Sequence, residues 1–406
     1  MNSCFDDLER AELAALLPEL LLAGQLIDRS AMAWCIAAFG RAGMTRIAIE
    51  EWMAASPIYT RRMQRALRYE GDDVITIFKG LQLDIGAPPQ FMDFRYTVRD
   101  PWHGEFHLDH CGALMDVEPM GERYVRSMCH DIEDPTFDAT AVATNPRAQV
   151  RPIHRPPREP VDRHPHCAWT VIIDSAHPPV AESDGCRALR GCRAATTELG
   201  AIDPDDDGWA DYSGPLRSDL VFHEFSRSAL VRMADEVCLQ MHLLCLGFAR
   251  AVHSRLEADE ARQLCAKQLL GIAGISAERL HRALRLPDGI EGALRVLALH
   301  PLLNPAAYVN AHVGDALTVH NGPAHEDGAW ISLCGPENTA PLQAIVRAVD
   351  PHLDVAVEGS DTDWSARVLR RAEPAAEFDE VAVTRVSTGA SFAFEPRNSI
   401  PITPAR

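Results

Sequence analysis

The stretch FMDFRYTVRDPWHGEFHLDHC, residues 91–111, decides the fold. Apolar and polar residues alternate over 91–98, the period of a strand with one buried face. Asp100, Pro101 and Gly104 supply turn chemistry, and 105–111 reads as a second strand, so the pattern predicts a hairpin. Upstream the sequence reads as helix: 6–23, a second helix starting near Asp28 or Ser30, then 45–69 with an interruption near Ser56-Pro57, and one after Asp72. Downstream it predicts a helix over 119–131 and short strands over 139–142, 148–153 and 167–173.

Residues 226–300 are helical again by the same reading, and Pro301 to Pro305 ends the run. Strands are expected over 307–313, 316–320 and 329–334. A helix over 341–349, a strand over 353–357 and a closing strand pair over 381–386 and 390–394 follow. The order looks like one plan used twice. Ser30-Ala31-Met32 matches Ser228-Ala229-Leu230, Pro88-Pro89 matches Asn304-Pro305, and Cys111-Gly112 matches Cys334-Gly335. The expected class is α+β, in two related halves. Each half is a helical block followed by a small antiparallel sheet with a helix, and the two pair as a pseudo-dimer. The expected boundaries are a first repeat at 1–174 and a Gly-, Pro-, Asp- and Ser-rich linker at 175–225. A second, degenerate repeat follows at 226–396, with a tail at 397–406.

Composition limits the function. The 39 basic residues against 58 acidic ones give a net charge of -19, which argues against broad binding of nucleic acid or anionic membrane. No apolar run approaches the roughly 18 residues of a membrane span. The chain has eleven cysteines, an odd number, and Asp6, Asp7 and Glu9 stand where a secretory leader needs positive charge. A cytoplasmic location with free thiols is the expectation.

Chemistry-bearing side chains concentrate in the first half. His103, His107, His110, His130, His154, His164 and His166 fall close together, with Cys111, Cys129 and Cys167 among them. Strand periodicity places His107, Asp109 and Cys111 on one face and His110 on the other, with Phe106 and Leu108. Imidazole and thiolate suit one zinc or iron ion, and His107, His110, Cys111, His130, His154 and His166 are the candidate ligands. No paired C-x2-C, H-E-x-x-H or deaminase signature accompanies them. The matched strand of the second half carries Ile331 and Leu333 instead, which confines the expected site to the first. A second chemistry is a thiolate nucleophile, Cys111 or Cys129, with His107 as base and Asp109 orienting it. Arg151 and Arg155 would clamp a substrate carboxylate. Glycine-rich phosphate loops are missing, so no nucleotide cofactor is expected.

Residues from about Ser30 to Asp174 combine several features. A helical lead-in precedes the strand ending in Cys111, and a helix carries Cys129-His130-Asp131. An arginine-containing segment at 151–158 leads to Pro165-His166-Cys167-Ala168-Trp169. This third of the chain resembles the bacterial L-2-amino-thiazoline-4-carboxylic acid hydrolase-like group and the 4-vinyl reductase type of small-molecule-binding domain. The resemblance implies a ring-opening hydrolase or a ligand-binding module, and the histidine-rich 154–166 departs from its pattern. The expected function is therefore an enzyme, most directly a hydrolase, acting on a small carboxylated molecule. The alternative is a non-catalytic sensor or carrier that binds a small molecule or metal.

Overall fold

The structure is a computed structural model that describes residues 3–402. Helix α1 (Arg10–Ala66) is two helical arms that meet at a kink at Gly40, so the breaks expected between residues 23 and 28 and near Ser56-Pro57 are absent. Gly40 has φ 67° and ψ 173°, and a Cβ there would meet nothing within 4 Å. Glycine is needed at the bend for its backbone angles, not for space. After α2 (Val74–Leu81) comes the hairpin of β1 (Met92–Asp100) and β2 (His103–Cys111). A π-helical segment, Ser127–Ile132, runs into α3 (Glu133–Ala141), and β3 (Ala148–His154) and β4 (Cys167–Ile173) complete an antiparallel sheet of order β1-β2-β4-β3. Phe94, Phe106 and Trp169 point inward from this sheet, and Phe137 of α3 packs on the last two with ring centroids 5.4 and 5.0 Å away.

The second half contains α4 (Arg227–His253), α5 (Ala258–Ala283) and α6 (Ile290–Leu299), then β5 (Ala311–Val313) and β6 (Leu317–Val319). After α7 (Ala340–Val349), β7 (Leu353–Gly359) and β8 (Trp364–Arg370) close a second antiparallel sheet, of order β5-β6-β8-β7. Helix α1 packs on both α4 and α5, and this layer holds much of the buried leucine. Each leucine buried there contributes about 1.5–3 kcal/mol. The α1–α4 crossing is close enough that a Cβ on Gly247 would lie 2.9 Å from the Glu51 carbonyl oxygen. Residues 175–225 lie against these helices: Cys186, Ala194 and Tyr212 are buried, and Lys79 donates to the Tyr212 and Gly214 carbonyls.

Several expected elements change type. The closing strand pair of the second half is β7–β8, while 381–386 and 390–394 fall on the short helices Asp379–Arg385 and Thr388–Ser391 and the extended tail after them. Residues 139–142 lie at the end of α3 and the turn after it, and 329–334 forms the 3-10 helix Trp330–Leu333. Short apolar runs fit a buried helical turn as well as a strand, and only tertiary packing decides. Cys334 therefore ends a helical turn, and its match to strand residue Cys111 fails.

Another spacing recurs in the helical blocks. Ile58, Arg62, Arg65, Ala66, Leu67 and Arg68 recur as Ile275, Arg279, Arg282, Ala283, Leu284 and Arg285 at the same spacing. Arg68 and Arg285 both take positive φ, 53° and 50°, in the turn that ends the helix. Tyr69 N–H donates to the Gln64 carbonyl and Leu286 N–H to that of His281, each at 3.1 Å. The buried arginines make crossed ion pairs. Arg62 of α1 meets Glu236 of α4 at 2.8 Å, and Arg279 of α5 meets Glu19 of α1 at 2.6 Å.

Candidate functional site

A bulge in β2 separates the residues expected to act together. Met92 pairs with Cys111 and Phe94 with Leu108, so Asp109 and His110 together oppose the single Asp93. The extra residue returns Cys111 to the buried face of Phe106 and Leu108. His107 and Asp109 stay on the outer face, 3.4 Å apart, where Arg95 also approaches Asp109 at 3.7 Å. The expected grouping of His107, Asp109 and Cys111 on one face is thereby corrected.

The thiols turn inward. Leu114 N–H donates to Cys111 Sγ at 3.3 Å, and Met92 Sδ lies 3.8 Å away. Burial pushes the Cys111 thiol up to about 12, with Glu133 adding to the shift. Burial and then Glu133 raise Cys129 and Cys167 as well. These thiols are protonated at neutral pH, the opposite of an activated nucleophile.

The histidines disperse. His130 Nε2 lies 2.7 Å from the Pro156 carbonyl oxygen. His154 stands at the end of β3, its pKa lowered by burial and then by Arg163 and His107. His110 stacks on Phe392 and neighbours His166, which packs on His164. His166 is lowered to about 4, by burial first and then Arg158, and is neutral at pH 7. Among the described residues, no three His, Cys, Asp or Glu side chains are grouped so as to hold a metal ion. The expected carboxylate clamp is occupied internally, since Arg151 pairs with Asp138 at 2.9 Å and Arg155 with Asp134.

What the first half does assemble is a cavity of about 80 Å³ between α1, β1 and α3. Asp28, Asp84 and Glu133 supply carboxyl groups to its wall, and Gln25 an amide. Trp52, Tyr59, Phe94 and Phe137 supply aromatic surface. The π-helical segment brings Met128 and Ile132 to the same wall, and such widened turns recur at functional sites. No lysine, arginine or histidine lines the cavity among the described residues.

The acids are perturbed accordingly. Burial pushes Glu133 up to about 8, with Arg155 opposing and Asp134 adding. Its Oε2 has no hydrogen-bond partner, and neither has Gln25 Oε1. Burial raises Asp84 to about 6, against hydrogen bonds donated by Gly86 N–H at 2.7 Å and Tyr59 O–H at 2.8 Å. Behind Asp28, buried Glu51 is held well above the usual carboxylate range by burial and then by Asp28. The chemistry this wall offers is acceptor-rich: carboxyls and an amide oxygen awaiting a donor or a cation, beside aromatic rings.

The sequence pattern singles out none of Asp28, Asp84 and Glu133 as site residues, and Asp28 reads only as a helix start. Residues 81–85 alternate apolar and polar, so Asp84 stands where a solvated side chain would be expected and gives no signal of burial. No family model, curated protein or solved structure matches the chain.

Proposed function

We propose that the chain is a small-molecule-binding module whose first-half cavity takes a compact organic cation. The carrying observation is the acid-lined cavity itself, with three carboxyl side chains in its wall, no basic side chain and an unpartnered Glu133 oxygen. Buried carboxyls without a counter-charge are costly, and a bound ammonium would supply both the charge and the donors. A volume of about 80 Å³ holds roughly five to eight water-sized groups, which suits an amine of about that many heavy atoms. Binding rather than hydrolysis is favoured because Cys111 is a buried thiol bonded to a backbone amide, with no imidazole beside it.

The same reading treats the chain as a duplicated unit with the ligand site in one copy. Support comes from the identical strand orders, the recurrence of residues 58–68 at 275–285, and the crossed pairs Arg62–Glu236 and Arg279–Glu19. In an isologous contact residue i meets j and j meets i, the pattern of those pairs.

Calorimetric titration with benzylamine and its neutral isostere benzyl alcohol tests the proposal. Benzylamine is expected to bind at least tenfold more tightly and to release close to one proton near pH 7, as Glu133 ionises on meeting it. Glu133→Gln is expected to abolish the preference and the proton release. An amine that binds no better than the alcohol, or binds equally well to Glu133→Gln, would overturn the assignment.

A further inference from the structure

A second site lies outside that cavity, at the C-terminal end of α1, where a cleft of about 670 Å³ opens. Arg62, Arg65 and Arg68 line it from α1 and its terminal turn, and Arg232 lines it from α4. Two of these arginines are satisfied. Arg62 donates to both oxygens of Glu236, at 2.8 and 3.1 Å, and to the carbonyls of Ala195 and Thr197. Arg232 donates to Glu236 Oε1 and to the Gly200 carbonyl. These bonds fix the loop that walls the cleft and occupy Glu236. The exposed Arg65 and Arg68 side chains keep all their donors free of protein partners among the described residues. Glu198 is the other acid of the lining, and Asp211 feels Arg68 from outside it.

The fold contains its own control. A cleft of the same volume lies at the C-terminal end of α5, where Glu19, Arg282 and Ala283 take the places of Glu236, Arg65 and Ala66. There Asp93, Asp219 and Glu395 join the lining, with Arg397 as the added cation, so this cleft is acidic. Arginines near a helix C-terminus complement its dipole, and that alone would explain both sets. It does not explain why one set is ringed by acids and the other left open, in a chain whose net charge is -19.

We propose that the arginine cleft binds a small organic dianion, a phosphate monoester or a dicarboxylate. Arg65 stands in the last turn of α1 and Arg68 in the turn that ends it, and both line the cleft, so the two can converge on one oxyanion. The planar guanidinium matches the paired oxygens of either group. The site is independent of the carboxyl-lined cavity, and either can fail without the other.

The test is calorimetric titration of the full chain with inorganic phosphate, glycerol 3-phosphate and succinate, in 50 mM and in 300 mM salt. The wild type is expected to bind at least one of the three, more weakly at the higher salt. Arg65→Gln with Arg68→Gln is expected to lose at least tenfold in affinity. Arg65→Lys with Arg68→Lys should fall between, and Arg282→Gln in the acidic cleft should leave binding unchanged. Tighter binding of the phosphate ester assigns a phosphoryl ligand, and tighter binding of succinate a dicarboxylate. Because both arginines are exposed, the variants should keep the wild-type urea midpoint. Failure of all three anions to bind, or an equal loss in Arg282→Gln, overturns the proposal.

Discussion

Gln25, Asp28 and Asp84 face the first-half cavity; the spacing from Arg62 to Arg279 puts His242 and Cys245 at the places of Gln25 and Asp28, and Pro301, next to His300, at that of Asp84. Asp28 is half-buried and the other residues lie in the interior, yet the two sets solve burial differently. His242 Nε2 bonds the Asn304 carbonyl at 2.9 Å, and its ring packs between Tyr308 and Trp330. His300 Nε2 bonds the Ala273 carbonyl, and its Nδ1 accepts from Leu302 N–H, both at 3.1 Å. Both rings are neutral and bond backbone, although His242 Nδ1 and the Gln268 amide have no hydrogen-bond partner. The first half leaves carboxyls around open volume. A neutral ring calls for no counter-charge, whereas ionising a buried carboxyl does.

The largest effect is expected at the crossed ion pairs, which look alike but are supported differently. Arg279→Met leaves Glu19 buried without its cation and also frees the carbonyls of Gly389, Ala390 and Phe392. Removing one partner of a buried pair costs about 3–5 kcal/mol. Arg62→Met should cost less, because Glu236 keeps Arg232 at 2.9 Å. Urea unfolding measures both, and a larger loss for Arg62→Met would contradict the ranking. The double change Glu19→Met with Arg279→Met should recover most of the loss, since it leaves no lone charge.

The pH dependence of stability carries limbs of both signs, and Asp235 of α4, raised to about 7, and His166, lowered to about 4, add to the groups that follow. Glu133 is raised from 4.5 to about 8 and Asp84 from 3.8 to about 6, so between those values the folded chain holds protons that the unfolded chain has released. Both groups therefore lower stability as pH rises through these windows. Burial lowers His242 and His300 from 6.5 to about 4, so the unfolded chain takes up protons that the folded one refuses. Their contribution is lost as pH falls from 6.5 towards 4, on the order of 3 kcal/mol for each imidazole. Urea midpoints measured from pH 4 to 9 should therefore show a limb on each side. Glu133→Gln should flatten the fall between pH 6 and 8, and His300→Asn the fall below pH 6.5. If Glu133→Gln left the alkaline limb unchanged, the perturbed acid would lie elsewhere.

The hairpin over 91–111 and the strand 167–173 are legible in the sequence because period-two alternation and turn residues agree there. The bulge at Asp109–His110 is not legible, because one added residue reverses every later side chain without changing composition. That single step moved Cys111 from the expected site into the core. The expected Ser30–Ser228 and Cys111–Cys334 matches rest on two or three common residues, and they do not share one register. The recurrence of Ile58–Arg68 at Ile275–Arg285 was visible in the sequence and was passed over. The cavity was the least legible feature, because Asp28, Asp84 and Glu133 are far apart in sequence and carry no motif spacing. Asp84 and Glu133 are perturbed by burial, which only the packed chain displays.

The smallest expected effect concerns how each half turns its helical block. At Gly40 the turn is made by one residue inside α1, in a region of backbone space that only glycine enters freely. The corresponding place in the second half is Glu257, with φ -62° and ψ 156°, at the end of a four-residue break between α4 and α5. Gly40→Ala should cost about 1–3 kcal/mol by strain alone, because space for the methyl group is free. Glu257→Ala, an exposed change at an ordinary backbone angle, should stay within about 0.5 kcal/mol. Chemical unfolding resolves the difference. A cost-free Gly40→Ala would mean that α1 can turn without a glycine, so that packing against α4 and α5, rather than the backbone at one position, holds its two arms at their angle.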